Sequence, residues 1–250
     1  MTAPVRQWFE VHGSGSEPFV LLHPGGADSR AFGPLLPHLA DRYRVLTPDR
    51  RGHGRTPDID GPWSYAAMAD DTAALIDAQV GAPVHLLGYS DGAVVALEVA
   101  RRRPDLVRDV VLVAGVFHRD GWEPGVLEEA EAVVAPMADA YAELSPDGRE
   151  HYPVVVAKNA QMRRSEPVLT EEDVAAIGCP TLVIVGDDDE VSLEHAIAMY
   201  RALPRGELAV VPHASHGVLV EHPAWCASLV RALHDPDRGE TFAPRRRAGR

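Results

Sequence analysis

Cysteine is nearly absent from this 250-residue chain: only Cys179 and Cys226 occur, at a spacing that suits neither a metal site nor a pair. A disulfide-stapled secreted domain is therefore excluded and a reducing compartment is the default. Met1–His12 lacks the cationic stretch and apolar core of a secretory signal. No apolar run approaches the roughly 20 residues that a membrane-spanning helix needs. The expected place is the cytoplasm, without a membrane partner. Positive charge is also short, 24 Lys and Arg against 37 Asp and Glu, for a formal charge of −13. Such a balance argues against nucleic acid or an anionic lipid surface as a partner. What the chain does have is 46% hydrophobic residues, enough for a sizeable core in one large α/β domain or two small ones.

The apolar residues are distributed rhythmically. Val5–His12 reads as an edge strand ending in a hairpin at the Gly13–Ser16 turn. Phe19–His23 is a short continuous apolar run, the mark of a strand buried on both faces, and it ends at Pro24–Gly25–Gly26. A helix over Ala31–Leu39, a strand over Tyr43–Pro48 and a turn-rich charged loop over Asp49–Thr56 follow. Tyr65–Val80 reads as a helix and leads into the strand Val84–Leu87, a second helix after Ser90 and the strand Val107–Val116. This alternation calls for a mostly parallel sheet with right-handed crossovers and helices on both faces.

Between Phe117 and Ile177 the rhythm stops. Val126–Leu144 looks helical with a break at Pro136, and Tyr152–Met162 looks helical although Val154–Val156 also suits a strand. At about 60 residues this is too long for a loop and is expected to be a helical cap inserted at 116–177, with the core formed by 1–115 and 178–235. Strand Pro180–Gly186, helix Ser192–Leu203, strand Glu207–Pro212 and helix Pro223–His234 complete the pattern. Residues 236–250, with Arg245–Arg247, are expected to form a disordered basic tail.

One serine stands at a strand-to-helix break, in Gly88–Tyr89–Ser90–Asp91–Gly92. A serine on so sharp a turn has its hydroxyl pushed clear of the sheet, and glycines two residues either side keep Cβ atoms out of the crowded bend. The N–H of Asp91, at the start of the helix, can meet a developing oxyanion. A serine hydroxyl needs a base, and the base needs a carboxylate to hold its tautomer. In an open parallel sheet such groups gather at the carboxyl ends of strands. Two later strand ends supply them: Asp187–Asp188–Asp189–Glu190 after one, and His213–Ala214–Ser215–His216 after the next. His216, deeper in its loop than His213, can swing back over Ser90. The remaining charges read more simply: Asp49, Arg50, Arg51 and His53 as a loop brace, Asp70–Asp71 as a solvent face. Trp8, Trp63, Trp122 and Trp225 read as packing groups.

Taken together, Gly88–Gly92, His23–Pro24–Gly25–Gly26, Asp49–Gly54 and Gly186–Asp189 resemble the α/β-hydrolase superfamily, in its order, from about Phe19 to Leu233. The resemblance implies an α/β-hydrolase fold with a helical cap and a Ser90, Asp189, His216 triad, with Asp188 the neighbouring alternative for the acid. Where the superfamily has a His-Gly pair before its oxyanion donor, this chain has His23–Pro24, so the donor shifts to Gly25 or Gly26, beside Asp91. The implied activity is hydrolysis of an ester or related acyl bond of a small molecule, without metal or organic cofactor. Other reactions of the same triad are the alternative: cleavage of C–C bonds or lactones, perhydrolysis, acyl transfer or cyclisation, or a receptor without turnover. Asp91 after the serine is similar to the biphenyl-hydrolase-like and valacyclovirase-type branch. That likeness implies an acid at Asp120 or Glu123 to receive an amine; Tyr89, beside the serine, and Trp122, which opens the insertion, are further candidates to touch substrate. Oligomeric state is open, a homodimer included.

Overall fold

A computed structural model describes residues 4–129 and 137–245. Seven strands, β1 (Phe9–His12), β2 (Glu17–Leu22), β3 (Tyr43–Pro48), β4 (Val84–Tyr89), β5 (Val107–Val113), β6 (Thr181–Asp188) and β7 (Gly206–Ser215), form one sheet in the order β1-β3-β2-β4-β5-β6-β7. All neighbours run parallel except β1 and β3. The continuous apolar runs are explained by period-2 alternation between two buried faces. Val20 and Leu22 pack into one layer with α1 (Tyr65–Gln79) and α2 (Asp91–Arg102). Phe19 and Leu21 pack into the other, with Leu35, Leu39 and Val230.

Several expectations are corrected. The first strand does not form a hairpin with β2: it lies antiparallel to β3, because the turn after it crosses the segment before β3, where Ser14 N–H bonds Ala40 O. Ala31–Leu39 is not a helix but two short 3-10 turns, Ser29–Phe32 and Leu36–His38. Pro34 and Pro37 remove N–H donors there, so no run of i to i−4 hydrogen bonds can continue through the segment. Asp71 is not on a solvent face. It is fully buried, and its carboxylate accepts from Arg51 Nε (2.6 Å), Arg51 Nη2 (2.7 Å) and Val5 N–H (2.6 Å). Trp225 is exposed and stacks only on His222, whereas Trp63 is buried.

The interval between β5 and β6 adds no strand to the sheet among its described residues. Its helices described over their full extent are α3 (Ala138–Ala142), α4 (Tyr152–Ser165) and α5 (Glu171–Ala175). Tyr152–Ser165 is thus helical throughout, its three valines included. The break expected at Pro136 lies outside the described residues. Polar ties hold the interval down: Lys158 Nζ donates to Asp58 Oδ2 and Ile59 O, both at 2.6 Å, and Tyr65 N–H donates to Glu166 Oε2 at 3.0 Å. After β6 come α6 (Leu193–Ala202), α7 (Val218–Glu221) and α8 (Pro223–Leu233). Residues 236–245 add no helix or strand, although Arg238 ion-pairs with Glu207. No described helix is long and apolar enough to cross a membrane.

Candidate active site

The turn between β4 and α2 places Ser90 at φ 55° and ψ −120°, a conformation that costs a non-glycine residue free energy and persists only where its surroundings enforce it. Ser90 N–H donates to Val113 O on β5 at 2.8 Å. A Cβ on Gly88 would collide with the backbone of Gly92, and one on Gly92 with the carbonyl of Leu22, so both positions require glycine. The bend therefore aims Oγ above the sheet's carboxyl edge.

Two loops at the same edge reach it. Ser90 Oγ lies 2.9 Å from His216 Nε2, and His216 Nδ1 lies 2.8 Å from Asp189 Oδ1. The Asp189 carboxylate is fully buried and accepts N–H groups from Gly186 (3.0 Å) and Val191 (3.2 Å), so it is aimed at the histidine by its own backbone turn. With Asp189 accepting from Nδ1–H, Nε2 is left to take the serine proton. Tyr89 Oη donates to His216 O at 2.6 Å and fixes the loop. Asp188 is exposed, and so is His213. Trp122 presents its ring edge-on to His216, centroids 5.9 Å apart. Asp120 is 79% exposed and faces His118 and Arg119, and Glu123 is exposed. Glu123 N–H donates to Glu190 O at 2.8 Å, in the loop that carries Asp189.

The loop after β2 carries the glycines. His23 Nδ1 donates to Pro24 O (2.7 Å) while its Nε2 accepts Arg50 N–H (2.9 Å), which makes it a neutral brace. Burial and the Arg50 charge push its pKa well down. Gly26 N–H is taken by His53 Nε2 at 3.3 Å. The N–H groups of Gly25 and Asp91 bond no described residue. Gly25 lies so close to α2 that a Cβ there would collide with Asp91 Oδ2 and Asn159 Nδ2.

Sequence reasoning missed the surroundings of the Asp91 side chain. That carboxylate is buried, accepts Tyr65 Oη–H at 2.8 Å on Oδ1, and has Arg163 Nε 3.6 Å away. Burial works to raise its pKa, but Arg163, Arg50 and the Tyr65 hydroxyl hold it below the usual carboxylate value. Asn159 and Arg163, four residues apart on α4, share a helix face, a spacing visible in the sequence without any sign of what that face meets. Ser90 is only 5% exposed, while the His216 side chain is 21% exposed. The open surface hollows lined by Ala138 and Tyr152, by Asp58 and Lys158, and by His213 and Glu221 do not include Ser90.

The profile of the alpha/beta hydrolase family matches residues 19–229. A candidate carbamate hydrolase of Agrobacterium fabrum is 27% identical over 244 residues, covering 86% of this chain and 93% of that protein. The 2-(acetamidomethylene)succinate hydrolase of Mesorhizobium japonicum is 29% identical over 243 residues, covering 85% and 86%. Among solved structures, a thermophilic esterase from Thermogutta terrifontis superposes with a TM-score of 0.68 at 27% identity, covering 92% of this chain and 94% of that one.

Proposed function

The chain belongs to the alpha/beta hydrolase family, and from that membership we propose that it is a serine hydrolase cleaving an ester or related acyl bond of a small molecule. One observation carries the reading: the unbroken chain of contacts from Asp189 through His216 to Ser90. Ser90 Oγ attacks the acyl carbon as His216 Nε2 takes its proton. His216 then returns that proton to the leaving group, and an acyl-enzyme remains. Water, deprotonated by the same nitrogen, releases the acid. Asp189 stays ionised throughout, holding the tautomer and stabilising the imidazolium.

The oxyanion is received by the N–H groups of Gly25 and Asp91. Gly26 is the weaker candidate because its N–H is engaged by His53. Pro24 has no N–H to offer. The names of the Agrobacterium and Mesorhizobium relatives, a carbamate and an acetamido compound, support keeping acyl–nitrogen bonds beside esters. The inserted segment brings Arg163 to Asp91, the residue after Ser90, and would set specificity. A fluorophosphonate probe should label the wild-type protein and not Ser90→Ala, and short p-nitrophenyl esters should be turned over only by the former. Absence of labelling, or labelling that survives Ser90→Ala, overturns the proposal.

A further inference from the structure

The wall beside Ser90 gathers buried polar side chains around Asp91. Arg163 Nε, Asp91 Oδ2, Trp122 Nε1 and Arg50 Nε all lack a hydrogen bond to a described residue. Arg163 Nε instead faces Asp91 Oδ1 at 3.6 Å, an ion pair set beside the nucleophile on the inserted helix. Two guanidiniums, Arg50 and Arg163, act on the single carboxylate of Asp91, while on the other side of Ser90 the carboxylates of Asp189 and Glu190 stand 2.8 Å and 3.7 Å from His216.

The two arginines are differently placed. Arg50 is fully buried beneath the oxyanion loop, with Nη1 on Met68 Sδ at 3.4 Å. Arg163 comes from the inserted helix α4, and its side chain is 12% exposed. Its Cζ sits 4.7 Å from the centroid of the Trp122 ring, whose edge in turn meets His216. Stacked on Trp122 and drawn toward Asp91, the guanidinium is held in one orientation, and a planar fork so fixed is matched to a carboxylate. An anion gains nothing from the rest of this molecule, which carries a formal charge of −13, so selectivity for one has to come from a local cation. An amine at Asp91 would instead compete with Arg163 and Tyr65 for a carboxylate already served by both.

We infer that Arg163 is an anion-recognition residue, and that the acyl portion of the substrate carries a carboxylate which pairs with it. This rests on the serine-hydrolase reading of Ser90. A carboxylate at the end of a short acyl chain would bring the charge to Arg163 while its ester carbon lies against Ser90 Oγ.

The test compares kcat/KM for mono-p-nitrophenyl glutarate, p-nitrophenyl butyrate and the p-nitrophenyl ester of alanine. Wild-type protein should prefer the glutarate over the butyrate by about tenfold or more, the span of a charge-assisted hydrogen bond. Arg163→Gln should reduce that ratio to near one and Arg163→Lys should keep part of it. Fluorophosphonate labelling of each variant reports an intact site. A wild-type ratio near one, a ratio unchanged in Arg163→Gln, or a preference for the alanine ester overturns the inference. Calorimetry of free glutarate binding to Ser90→Ala, with and without Arg163→Gln, gives a readout that needs no turnover. Saturable binding lost with Arg163 supports the inference, and no binding overturns it. Failure of the Ser90 reading is separate, seen as absence of labelling in the wild type.

Discussion

At the scale of single residues, two neighbouring aspartates separate by environment. Asp189 is buried, receives two backbone N–H groups and touches His216, whereas Asp188, one residue earlier, faces solvent on the last residue of β6. Asp189→Asn should lower kcat by about 10⁴-fold, the order seen when a triad loses the group that sets its tautomer. Asp188→Asn should leave kcat within a few-fold. Steady-state assays of both variants decide, and the reverse ranking assigns the acid to Asp188. The elbow at Ser90 was legible in the sequence because its constraint is local: only glycine fits at 88 and 92. Arg163 was not legible. Which face of an inserted helix turns to a site depends on how the insertion packs, and neither periodicity nor spacing records that.

At the scale of elements, α1 shows where pattern reading fails. Asp70–Asp71 has the appearance of a solvated helix face, yet the Arg51 loop lies over that face and encloses Asp71. An interior pair is costly to break because the surviving partner is left charged and dry. Asp71→Ala should therefore destabilise the protein by about 3–5 kcal/mol in urea unfolding. A loss below 1 kcal/mol would mean that the pair is dispensable. The same dependence on partners governs the segment over 29–39, where prolines override an apolar spacing that suits a helix, and β1, whose pairing was decided by where the chain crossed and not by its own alternation. The strands of the parallel core were readable because burial on both faces forces an unbroken apolar run, a signal each strand carries without its neighbours.

The whole molecule should be acid-sensitive for a related reason. Burial pushes His53 and His195 each down to about 4, and lowers His23 and His234 as well. Unfolded histidines titrate near 6.5, so between about 6.5 and 4 the unfolded chain binds protons that the folded one refuses, and stability falls as pH falls. For the fully buried His53 the difference is about 3 kcal/mol by pH 4. Asp91 and Asp109, whose carboxyls are held low, add losses at still lower pH. Asp71, pushed up by its burial, works in the opposite sense. Melting temperatures should decline steadily from pH 7 to 4.5, and a flat or rising profile would contradict this account.

The strands of the parallel core, the glycine-bounded elbow at Ser90 and the placement of an acidic loop and a histidine loop on successive later strands were determined by the sequence alone. Each depends on contacts between residues near in the chain, or on burial that every strand records for itself. The tertiary structure decided which aspartate meets His216, which glycine keeps a free N–H, that Asp71 is interior, and that Arg163 and Asn159 stand over Asp91. These are meetings of segments tens of residues apart, set by how helices and loops pack, and a side chain leaves no trace in the linear pattern of the partner it meets only after folding.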